Sequence, residues 1–172
     1  MRTYRDWAPA IALMLAGALA SSAHAEVMGR RIVGSLRVEL QVQAAEPFFS
    51  KEDVTAKNIT KGMEIVRGQA PVTLDAAAGP NHLLVLQVFN KQTGKVVTDA
   101  TVTMRVGPIG EDGHPAGAQV EIPVVVMQAI GKGPSSTLYG NNVALPASRY
   151  EVYATVNGDA AVFRRVTTSG AR

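Results

Sequence analysis

The 172-residue chain contains no cysteine. That absence excludes disulfide staples, thiolate zinc sites, iron–sulfur clusters, c-type haem attachment and a lipid-modified N-terminal cysteine. Aromatic residues are scarce at 5%, and the single tryptophan, Trp7, sits near the N-terminus. Charge of one sign is scarce as well, since 17 basic residues face 14 acidic ones. Arg2, Arg5 and Asp6 fall in an N-terminal leader, and without them the surplus is two positive charges. So small a surplus, with no local Lys/Arg cluster, gives no electrostatic case for nucleic acid. Beyond the leader, polar or turn residues interrupt every apolar run, so no later stretch can span a bilayer as a helix. A chain that is 18% charged and 47% hydrophobic has the composition of a globular domain.

The leader has three recognisable parts. Arg2 and Arg5 form a short positive region, and Ala8 to Leu19 is apolar and uncharged. Ala23-His24-Ala25 then supplies small residues at both positions that determine cleavage. The apolar run is short of the ~20 residues a spanning helix needs. The expectation is a secretory signal peptide over residues 1–25, with Glu26 first in the exported protein. Residues 26–172 then form one periplasmic domain with no membrane anchor.

That domain reads as short strands. Leu36 to Gln43 alternates strictly, with Val38, Leu40 and Val42 expected inside and Arg37, Glu39 and Gln41 expected to face out. Leu83 to Phe89 is apolar almost throughout, which predicts a central strand covered on both faces. Thr98–Val106, Ile122–Met127, Tyr150–Val156 and Ala160–Val166 complete the set, rich in β-branched residues. Lys91-Gln92-Thr93-Gly94 is a tight polar loop, and Asn157-Gly158 is the strongest hairpin signal. Only Ser50 to Asn58 looks helical, for one or two turns, with Ser50 as cap and Asp53 three residues on. Leu145-Pro146-Ala147-Ser148-Arg149-Tyr150 has the form of a tyrosine corner. Together these predict an all-β, immunoglobulin-like two-sheet sandwich of seven or eight strands with one short helix.

Catalytic signals are weak. No Gly-x-Ser-x-Gly elbow, phosphate-cradling glycine loop or helix with paired metal ligands occurs. Glu52-Asp53 and Glu111-Asp112 lie in polar loops, where a solvated carboxylate is the ordinary state. The expectation is a protein that is not an enzyme and has no assured cofactor. For binding, thioether and imidazole groups suit copper or iron in a chain without thiols. Beyond the leader the donors are Met28, Met63, Met104, Met127, His82 and His114. Met104 sits in a core row, Met127 ends an apolar run, and His114 is in a turn. His82, at a strand mouth after Gly79-Pro80-Asn81, is the more suggestive histidine.

The stretch His82-Leu83-Leu84-Val85-Leu86-Gln87-Val88-Phe89-Asn90-Lys91-Gln92-Thr93-Gly94 resembles the strand and turn that open the core of the periplasmic iron-transport proteins. Val126-Met127-Gln128, Gly133-Pro134 and Leu138-Tyr139-Gly140-Asn141-Asn142-Val143 resemble that family's Met…His-Tyr-Gly-x-Asn segment. The likeness covers roughly residues 80 to 156. It implies an immunoglobulin-like domain that handles copper or iron, often as a homodimer, beside a membrane permease, with Met127 at the ligand methionine. Leu138 stands where the family has histidine, and Ser35-Leu36-Arg37 where it has early ligands. The spacing from Met127 to Tyr139 is also longer. Two functional readings follow. One is a non-enzymatic periplasmic accessory module whose metal site is depleted, meeting a periplasmic or inner-membrane protein through a loop, Gly131 to Asn142, that presents Tyr139, Asn141 and Asn142. The alternative is a working copper or iron carrier using Met127, His82 and Met63.

Overall fold

The computed structural model describes residues 26–68 and 82–168. The signal-peptide expectation falls on residues 1–25 and so lies outside the described residues. The strands are β1 (Glu26–Val33), β2 (Leu36–Ala44), β3 (Phe48–Phe49), β4 (Met63–Arg67), β5 (His82–Asn90), β6 (Val102–Pro108), β7 (Val120–Ile122), β8 (Val125–Ala129), β9 (Leu138–Val143), β10 (Ser148–Val156) and β11 (Asp159–Thr168). They form a seven-stranded sheet in the order β1-β2-β5-β9-β8-β4-β3 and a four-stranded sheet in the order β11-β10-β6-β7. The all-β sandwich is therefore as expected, with more strands than the sequence pattern showed.

The period-2 signals place the core. Val38, Leu40 and Val42 of β2 join Leu84, Leu86 and Val88 of β5 on the face toward the small sheet. That sheet answers with Met104, Val152, Val156 and Phe163, among others. The opposite row of β2 follows the expected alternation but not the expected exposure, because Glu39 and Gln41 are 7% and 8% exposed. Both are satisfied in place. Arg30 donates to Glu39 at 2.7 Å, while Gln41 donates to Gln87 and accepts from Gln43.

Turn chemistry also reads through. Asn157 and Gly158 take φ of 52° and 92°, the two left-handed residues of a type I′ turn joining β10 to β11. The Tyr150 hydroxyl donates to the Pro146 carbonyl at 2.9 Å and closes the tyrosine corner. Ser50 caps α1 (Lys51–Ala56), its Oγ accepting from the Asp53 N–H at 3.1 Å.

Pro123 changes one prediction. The expected single strand from Ile122 to Met127 is two strands, β7 in the small sheet and β8 in the large one. Proline has no N–H to give a ladder, so the chain leaves one sheet there and enters the other. β3 and β4 extend the large sheet past the small one. They add nothing to the inter-sheet core; Met63 joins a second cluster on the far face, with Phe48 and Ile65 packed against it.

Candidate functional site

The far-face cluster holds two of the three proposed metal ligands. Met127 of β8 pairs directly with Ile65 of β4 and with Leu138 of β9, and Met63 lies two residues along from Ile65. Met63, Met127 and Leu138 are all buried, packed with Leu83, Val85 and Val125. His82 is not brought to them. It opens β5 opposite Ala44 and Val143, on the row of Leu84 and Leu86. Strand parity therefore puts it on the opposite side of the sheet from Leu83 and Met127. Chemically the cluster offers two thioethers in an apolar setting. Among the described residues no group of three or more His, Asp or Glu side chains is placed to hold a metal ion.

The surface assigned to partner contact is corrected by the structure. Residues 138–143 are not a loop: β9 is the central strand of the large sheet, hydrogen-bonded to β5 and β8. Tyr139 is fully buried in the inter-sheet core. Its hydroxyl donates to the Val97 carbonyl at 2.8 Å and accepts from the Ala100 N–H at 3.1 Å. Burial pushes that hydroxyl above its usual value of 10.0, with the Ala100 N–H and Arg67 pulling the other way. Asn141, also buried, donates to the Pro123 carbonyl at 2.8 Å and pins the crossing between β7 and β8. Asn142 donates to the Glu46 carbonyl at 2.6 Å and accepts from the Glu46 N–H, tying the β2–β3 connection to the sheet. All three side chains are spent on folding. What stays exposed is Gly131, Lys132, Pro134 and Ser135, at the 3-10 turn before β9.

The paired carboxylates are surface groups with local tasks. Asp53 is held below the usual carboxylate range, first by its hydrogen bond to Lys57 and then by that ammonium's charge, at 2.7 Å. Asp112 accepts from the His114 N–H and shapes an exposed turn.

A site absent from the sequence reading lies at the mouth between the sheets. A groove of about 310 Å³ is lined by Arg67 and Gly68 after the β4 bulge, Ala100, Thr101 and Val102 at the start of β6, Val124 and Val126 of the crossing segment, and Tyr139 as one wall. Arg67 Nη2 donates to the Ala100 carbonyl at 3.0 Å across that mouth. Beside it Val66, the extra residue of the bulge opposite β8, is 51% exposed. No sequence motif marks the groove, because its walls come from four separate segments. Comparison with protein-family models, curated proteins and solved structures finds no match for this chain.

Proposed function

We propose that the chain is exported to the periplasm and acts there as a non-enzymatic binding or accessory module for a periplasmic or inner-membrane protein. On this reading it is a metal-site-depleted relative of the iron- and copper-handling sandwiches it resembles. The observation that carries the reading is the unequal width of the two sheets. β4 and β3 overhang the small sheet, and the overhang ends at an open mouth with an exposed valine and a bridging arginine. Exposed apolar surface beside a concave opening is what binding modules use. The leader pattern at Ala23-His24-Ala25 supports export.

The test combines fractionation with crosslinking in cells. A photo-crosslinking residue at Val66 is expected to give one discrete adduct from the periplasmic fraction, whereas the same probe at exposed Gln92, in the β5–β6 turn, gives none. A cytoplasmic protein retaining residues 1–25, or identical adducts from both positions, would overturn the reading. The carrier alternative has one observation in its favour, the placement of Met63 and Met127 in one cluster on one face. Tight stoichiometric Cu(I) or Fe(II) binding abolished by Met127→Ala would favour it.

A further inference from the structure

We infer that the mouth between the sheets binds a small apolar carboxylate, with Arg67 holding the acid group. The inference rests on the reading that this mouth is the binding surface, and it names the ligand chemistry. The groove, at about 310 Å³, lies at the small end of the range for small-molecule sites, roughly 300–1,000 Å³. Ala100, Val102, Val124 and Val126 give it apolar walls. Arg67 is the one formally charged residue among the described residues lining it.

The guanidinium is held in position rather than used up. One nitrogen donates to the Ala100 carbonyl, and its other N–H groups have no hydrogen-bond partner among the described residues. The remaining N–H groups of its planar fork match a carboxylate. The Tyr139 hydroxyl has both a donor and an acceptor partner already, so that ring serves as a rigid wall. The hydrogen bonds from Arg67 to Ala100, Ala100 to Tyr139 and Tyr139 to Val97 tie three of the lining residues to one another and to the fold, so the site is formed before a ligand arrives. Asp99 acts electrostatically on the Tyr139 hydroxyl but is not among the lining residues. One positive charge among the described residues of an apolar groove fits a monoanion with a short hydrocarbon tail. A cation would meet Arg67, and a dianion would find one partner where it needs two.

Amide chemical-shift titration of the purified protein decides the matter, with octanoate as probe, octanamide as its neutral counterpart and acetate as the head group alone. Octanoate is expected to move the Gly68, Ala100, Thr101 and Val126 amides and to bind at least about tenfold tighter than octanamide. Arg67→Gln should weaken octanoate by about tenfold to a hundredfold and leave octanamide unchanged. Val102→Phe, which narrows the slot, should weaken both. Equal affinity for octanoate and octanamide overturns the carboxylate assignment and leaves a binding mouth in place. Shifts that map elsewhere, or none at millimolar octanoate, overturn it outright. Whether the Val66 crosslink survives then tells whether the wider reading fails too. If Arg67→Gln does not fold, the shift map of the unmodified protein remains decisive.

Discussion

Replacing Tyr139 with phenylalanine isolates one hydroxyl in the core. The ring is fully buried and its packing is kept, so the change removes only the oxygen that bridges Val97 and Ala100. Both partners are backbone groups, and neither has another hydrogen bond among the described residues; the Ala100 carbonyl, by contrast, keeps Arg67. An unsatisfied buried backbone group costs about 1–3 kcal/mol. Water entering from the adjoining groove offsets part of this on the Ala100 side, which leaves an expected loss of about 2–4 kcal/mol. That is a large share of the ~5–15 kcal/mol that holds a typical domain together. Urea unfolding should show it as a midpoint shift with an unchanged slope. The same substitution has a pH signature. The unfolded chain releases the phenolic proton near pH 10, while burial keeps it on the folded one. Stability is therefore intact below pH 10 and falls as the pH rises through the raised value, and Tyr139→Phe removes that part of the decline. The decline does not vanish, because the Tyr150 hydroxyl is also raised by burial. A loss below about 1 kcal/mol, with an unaltered alkaline profile, would refute the assignment of Tyr139 to the core.

Three further perturbations test other parts of the fold. Gly140→Ala should cost more than about 3 kcal/mol or abolish soluble expression, because its Cβ would come 2.0 Å from the Leu84 carbonyl oxygen and 2.8 Å from the Val85 Cα. An unchanged melting temperature would show that β5 and β9 are not so closely apposed. Tyr150→Phe should cost only about 0.5–1.5 kcal/mol, since the Pro146 carbonyl also accepts from the Thr168 hydroxyl and keeps a partner; a larger loss in denaturant would show that the corner does more than bridge. Leu138→His places an imidazole directly opposite Met127 with Met63 close by, and calorimetry should find Cu(II) bound more tightly than by the unaltered chain. In the same series Met127→Ala should cost about 2–5 kcal/mol through lost packing. No gain in copper affinity from the added histidine would mean that the two thioethers cannot reach a shared ion.

Local chemistry was legible in the residues themselves. The alternation of Leu36 to Gln43, the run from Leu83 to Phe89, the Asn157-Gly158 turn, the Ser50 cap and the corner at Tyr150 all depend on neighbours a few positions away. The fold keeps each of them for that reason, although cross-strand partners bury Glu39 and Gln41, which the alternation alone turns outward. Tertiary packing decided the rest. Leu138 to Val143 has the glycine and asparagines of a loop, yet it is the central strand, because β5 and β8 pair with both of its edges and Gly140 lets β5 come close. Tyr139, Asn141 and Asn142 turned out to be internal ties because their partners, near positions 97, 100, 123 and 46, are remote in sequence. β1 and β4 leave little mark in the sequence because a bulge in each breaks the alternation that marks a strand. The sequence alone could group His82, Met63 and Met127 by chemistry. Which face of the sheet each occupies depends on register between distant strands, and there His82 parted from the two methionines.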